Sequence, residues 1–233
     1  MKQGNNISVD ASQLKCKDEY VCWIDIMGTK NIMSESFQKA ANFILKFHSC
    51  VLDTVKDYDE VKYYPLMDGV FITSPNSKTI QTVIDYVFDK IANIFISESK
   101  NGHRFIIKGS LAYGSISHGD TIDNNVCDTI SSIPEYKQSL LLGMPMIQAF
   151  NSERTAPPFG IYIHESARKY KVLQGKHYAW KCKTTDKASL LSKVNSYFDW
   201  CMEYSEYLEM DVKKIDLYKK LAKEYFSDRM KKD

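Results

Sequence analysis

The stretch Cys22-Trp23-Ile24-Asp25-Ile26-Met27-Gly28 sets an acid inside a run that otherwise has the composition of a buried strand. A carboxylate in such a place is costly unless it is paired or bound to a metal ion. A second acid, Asp68, stands between two β-rich runs in VKYYPLMDGVFITS and is followed by Gly69. Asp-Gly between such runs is a strong short-range signal for a tight hairpin, with Asp68-Gly69 at its tip. Two convergent carboxylates and a backbone carbonyl can hold one or two Mg²⁺ ions, whose octahedra are completed by water and phosphate oxygens. Read singly, Asp25 is a strand-end acid satisfied by amides and Asp68 a turn former.

Bringing the two acids together needs a sheet. Residues 19–26 are aromatic and β-rich and end at Gly28, as a central strand would. Residues 34–57 carry Phe37, Ala40, Ala41, Ile44, Phe47, Val51 and Val55 at helical spacing, with Ser34 or Ser36 available as a cap. After the hairpin, residues 78–98 form a second amphipathic helix, and HRFIIKGSLAYG a long strand. The order βαββαβ predicts an α+β, ferredoxin-like core with helices on one face of a mostly antiparallel sheet. In that arrangement the end of the first strand lies beside the hairpin tip. Residues 115–140 are polar and turn-rich and are expected to form a loop at a site or interface. A helix is expected over 144–155, a last strand over 159–163, and a helical tail from about 189. The expected division is a flexible segment 1–18, a catalytic domain 19–175, and a helical extension 176–233 packed on the core.

Composition excludes several roles. The 31 basic and 29 acidic residues nearly cancel, so no basic footprint for nucleic acid is present. No apolar run approaches the roughly 20 residues of a membrane span, and the polar start lacks a signal-peptide core, so a cytoplasmic protein is expected. The six cysteines show no CxxC pair and the five histidines no metal spacing. The cysteines are expected as reduced structural thiols, and the histidines as structural or exposed.

WIDIMGTK resembles the F-x-D-I-x-G-F-[ST] motif of class III nucleotidyl cyclases, and YYPLMDGVFI their second metal-binding hairpin. IKGSLAYGSISHGD is similar to the R-x-G-x-x-x-G strand of that family, and GMPMIQAF to its G-x-x-[VI]-N-x-A-x-R helix. The resemblance covers roughly residues 19–170 and is closest to the short cyclases of bacterial Pycsar antiphage systems, with the A-x-x-x-E continuation present as Ala149 to Glu153.

The resemblance implies a 3′,5′-cyclase using two Mg²⁺ or Mn²⁺ ions held by Asp25, Asp68 and the Ile26 carbonyl. It implies that Met27, Gly28, Thr29 and Lys30 cradle the triphosphate, Gly28 permitting close approach. Lys30, Arg104 and Lys108 are candidate phosphate cations. Two positions that read adenine in purine cyclases are here Tyr64 and Leu140, which shifts the expected substrate to UTP or CTP. The family's helix Asn and Arg fall at Ile147 and Asn151. Asn151 is then the residue at the ribose-contacting helix, and Arg154 or Lys108 would meet transition-state charge. The resemblance further implies a two-fold homodimer with sites at the interface and a cyclic product acting on a separate effector protein, with no nucleic-acid or membrane partner. The alternatives are an adenylate or guanylate cyclase and a catalytically inactive nucleotide-binding module.

Overall fold

The computed structural model describes residues 7–169, 173–208 and 210–230. Residues 1–6 of the expected flexible N-terminal segment lie outside these. The elements run β1 (Lys17–Ile26), α1 (Thr29–Glu35), α2 (Phe37–Val55), β2 (Lys62–Leu66), β3 (Gly69–Ser74), α3 (Ser77–Ser97) and β4 (Ile107–His118). They continue with α4 (Asn124–Ser131), α5 (Pro134–Gln138), β5 (Leu141–Gly143), α6 (Met144–Ser152), β6 (Ile161–Ile163), α7 (Glu165–Arg168), β7 (His177–Tyr178), α8 (Lys187–Glu203) and α9 (Val212–Met230).

The sheet order is β2-β3-β1-β4-β6-β7, with β5 paired to β4. Its first four strands are antiparallel and have the ferredoxin-like order; β6 then runs parallel to β4. Strand β1 is central, and its side chains alternate. Tyr20, Cys22, Ile24 and Ile26 enter a large core with α2, α3, α8 and α9, while Val21 and Trp23 enter a smaller core under α6. Helix α2 forms because Ala40, Phe43, Phe47, Val51 and Val55 recur on one buried face.

Several expectations need correction. The helix expected over 34–57 is two helices, because Ser36 leaves helical geometry and its side chain caps α2 at Lys39 N. The strand expected from 103 begins at Ile107, after a 3-10 turn at Asn101–His103. The expected loop 115–140 is largely structured. Strand β4 runs on to His118, Asp123 caps α4, and Pro134 opens α5, with Ile122, Val126 and Cys127 in a small apolar cluster. Strand β6 is not the last, since β7 pairs with it at the sheet edge.

The hairpin is present, but its two turn residues are Met67 and Asp68. Met67 takes the positive φ of 55°, a place that normally favours glycine. Gly69 is instead the first residue of β3, and a Cβ there would lie 2.3 Å from the Trp23 indole. Its glycine is required by that close approach.

All six cysteines are free thiols. Among the described residues no helix is long and apolar enough to cross a membrane.

Candidate active site

Asp25 is the penultimate residue of β1, and its cross-strand partners are Gly69 and Lys108. It shares a face with Trp23, so it projects on the α6 side of the sheet. Asp68 directly precedes Gly69, and the hairpin turn therefore delivers a second carboxylate beside the first. A third arrives from another direction: Glu153, buried, follows α6 in a short 3-10 turn. Burial, and then the charges of Asp68 and Glu153, push the Asp25 carboxyl up to about 7, against the Ile26 amide and Lys108, which pull it down.

Oδ1 of Asp25 is buried with no hydrogen-bond partner. Such atoms are rare because an unpaired buried acceptor costs about 1–3 kcal/mol or more when charged. Among the described residues no three His, Cys, Asp or Glu side chains form a metal cage. A divalent cation here would therefore use the two aspartates, a backbone carbonyl, and water or phosphate oxygens, which is the habit of Mg²⁺. The orphaned Oδ1 beside like charge fits that use.

The loop after Asp25 differs in part from expectation. Ile26 O accepts from Thr29 Oγ1 at 3.1 Å, and Met27 N donates to Ile106 O at 2.8 Å. The Met27 amide is thus committed to the fold. Gly28, in the left-handed region at φ 77°, precedes α1, and nothing lies within 4 Å of where its Cβ would be. No hydrogen bond to the described residues occupies the amides of Gly28, Thr29 and Lys30, which open that helix.

Lys108 is buried, with Nζ 3.0 Å from Glu153 Oε1; the pair is close in distance, though its angle makes no hydrogen bond to that oxygen. Arg104 is buried on the cleft wall and its guanidinium donates to Phe95 O at 2.9 Å, Glu98 O and Asn101 Oδ1, closing the end of α3. A cleft of about 480 Å³ opens at this end of the sheet, with Asp25, Lys30, Lys108, Glu153, Lys214 and Tyr218 among its walls. The last two belong to α9. Asn31 Nδ2 donates to Leu208 O at 2.9 Å, tying α1 to the turn before α9.

No family model matches the sequence, and no curated protein does. Solved structures match in fold. The guanylyl cyclase domain of the RhoGC fusion protein from the aquatic fungus Blastocladiella emersonii aligns at TM-score 0.51 and 17% identity, over 68% of this chain and 85% of that one. A bacterial light-regulated adenylyl cyclase aligns at 0.52 and 12% identity, over 70% of this chain and 46% of that one. The guanylate cyclase domain of RhGC from Catenaria anguillulae, solved with GTP, aligns at 0.50 and 17% identity, over 66% and 82%. The fold is that of a class III nucleotidyl cyclase catalytic domain.

On this cyclase fold the remaining sequence-derived residues lie apart from the carboxylates. Tyr64 is buried under the α6 side of the sheet, its hydroxyl 2.6 Å from His118 Nδ1, and His118 Nε2 is 3.1 Å from Glu19 Oε1. Burial, with Asp120 and Glu19 nearby, raises the phenol well above its ordinary range. His118 is thus one of the histidines that are structural, buried against Tyr64 and Glu19. Asn151 and Arg154 are exposed and do not line the cleft. Within one chain they are not brought to Asp25. Glu153 entered the sequence reading only as the end of the Ala149 motif, and that motif was its one available signal.

Proposed function

We propose that the protein is a metal-dependent nucleotidyl cyclase that converts a pyrimidine nucleoside triphosphate, UTP or CTP, to its 3′,5′-cyclic monophosphate and pyrophosphate. The observation that carries this reading is the half-buried Asp25 carboxylate, its Oδ1 buried without a partner and under the charge of Asp68 and Glu153, on the wall of a cleft. When bound, Mg²⁺ or Mn²⁺ would supply Lewis-acid activation of the ribose 3′-hydroxyl and charge neutralisation of the phosphates. Asp25, Asp68 and the Ile26 carbonyl would hold it. The Gly28, Thr29 and Lys30 amides, with the Lys30 ammonium, would bind the phosphate tail. Lys108, across the strand pair from Asp25 and paired with Glu153, adds positive charge to the cleft.

A two-fold homodimer is part of the proposal. Leu66 and Met67 at the hairpin, and Met144, Ile147 and Phe150 on α6, are large apolar side chains left exposed, Met67 at 87%. Exposed large apolar side chains of that kind support a protein interface. Asn151 and Arg154, exposed on the same helix and its exit, would then serve the second copy's carboxylates. Tyr64, at a position that reads adenine in purine cyclases, supports pyrimidine choice, because its phenol is already bonded to His118. The resemblance to Pycsar cyclases supports a cytoplasmic antiphage role, with the cyclic product acting on a separate effector.

A second reading, adenylyl or guanylyl cyclase, is favoured by the solved structures of like fold, which are named as guanylyl and adenylyl cyclases. One experiment decides: the purified chain is incubated with all four nucleoside triphosphates and Mn²⁺, and the products are identified by mass. Cyclic UMP or CMP is the expected product, and cyclic AMP or GMP establishes the second reading. Four intact triphosphates would sink both and leave a nucleotide-binding module.

A further inference from the structure

Lys108 stands directly across the strand pair from Asp25, where side chains of opposite charge ordinarily meet. Here they do not. Among the described residues no ion pair joins them, and Asp25 Oδ1 is left without a partner. The ammonium is drawn elsewhere: Nζ lies 3.0 Å from Glu153 Oε1 and 5.4 Å from the centroid of the Tyr218 ring. A carboxylate and an aromatic face both attract a cation, and the second does so without offering a competing negative charge. The ring is itself held in place. It stacks on Phe198 at 6.4 Å and 23°, and α9 is anchored by the fully buried Ile215 and Phe226.

We infer that Glu153 and the Tyr218 ring restrain the Lys108 ammonium away from Asp25, so that the aspartate stays open to a divalent cation. This rests on the cyclase reading of the carboxylates and deepens it. A lysine has a flexible four-carbon stem, and without the restraint the ammonium would turn toward Asp25, its cross-strand neighbour, whose Oδ1 has no partner. The protein's own cation would then occupy the position meant for the exchangeable one. Tyr218 is in these terms a positioning residue acting through Lys108, and α9 is a working wall of the cleft.

The test is Mn²⁺ binding to the full chain, followed by electron paramagnetic resonance at pH 8, so that it does not depend on turnover. Loss of binding in Asp25→Ala first establishes the carboxylate site. Tyr218→Leu, which changes no charge, is expected to weaken Mn²⁺ binding by about threefold, the scale of a cation–π contact, while Tyr218→Phe keeps the ring and wild-type affinity. In a Lys108→Met background the Tyr218→Leu effect should vanish. An equal loss with and without Lys108, or no loss at all, overturns the inference while leaving the carboxylate site standing. No Mn²⁺ binding by the wild type overturns both. Should Tyr218→Leu unfold by circular dichroism, Tyr218→Met, which also removes the ring without changing a charge, tests the same restraint and must show the same dependence on Lys108.

Discussion

Two regions of the molecule withdraw aspartate carboxylates from water, and they surround them differently. On α3, Asp85 accepts from the Tyr178 hydroxyl at 2.9 Å and the Lys181 amide at 2.8 Å, and Asp89 accepts from Thr184 Oγ1 at 2.7 Å and the Thr185 amide at 3.0 Å. Burial would push Asp89 up, but the threonine hydroxyls and amides hold it below the ordinary carboxylate range. At the end of β1, burial and the neighbouring acids Asp68 and Glu153 outweigh the Ile26 amide and Lys108, and the Asp25 carboxyl is pushed up. An acid surrounded by donors is a staple that fastens residues 178–185 to α3. An acid surrounded by acids lowers stability by itself and becomes favourable only with a cation beside it.

The contrast can be broken by substitution. The largest effect expected is on turnover: Asp25→Ala or Asp68→Ala should lower cyclic-nucleotide formation by at least about a thousandfold, since several kcal/mol of charge stabilisation are lost. Asp89→Ala should leave turnover measurable but lower stability by about 2 kcal/mol in denaturant titration, because Thr184 and the buried Thr185 lose their acceptor. Were Asp89→Ala to stop turnover in folded protein, the division into staple and site would fail.

Asp25→Asn should stabilise the metal-free fold at pH 8. The carboxyl titrates at about 7 in the folded chain and near its ordinary value of about 4 when unfolded. The folded state therefore binds the extra proton in that window, stability falls as pH rises through it, and the penalty is complete above it. After discounting for partial contact with water, about 2 kcal/mol should be recovered at pH 8 and almost nothing at pH 4. The same linkage makes Mn²⁺ raise the wild-type Tm more at pH 8 than at pH 5.5. The smallest effect is at Tyr64→Phe, where loss of the bond to His118 should cost about 1 kcal/mol. The informative readout there is the ratio of turnover among the four triphosphates, and an unchanged ratio would remove Tyr64 from base choice.

Asp25 and Asp68 were legible in the sequence because both lie in strongly patterned local elements, a strand and a hairpin. The βαββαβ order followed from the same signals. Glu153 was not, since its place depends on how α6 leaves the sheet, and Tyr218 was not, since nothing local links α9 to β4. His118 stood in a polar run that resembled a loop, and only the continuation of β4 buries it beside Tyr64. Short helices such as α5 carry too few residues for a 3.6 period to show. The Met67–Asp68 turn was misplaced by one residue because Gly69 answers to the Trp23 indole instead of to turn geometry.

The bond from Asn31 to Leu208 spans 177 residues of chain. Ribosomal synthesis is vectorial, so the first aspartate leaves the tunnel long before the turn that meets α1, and the Tyr218 ring later still. The β1–β4 core has the contacts to collapse earlier, but the cleft at its end is the last part that can be assembled. Nascent chains are thereby born without a finished pocket, and the cleft closes only after α9 has been made.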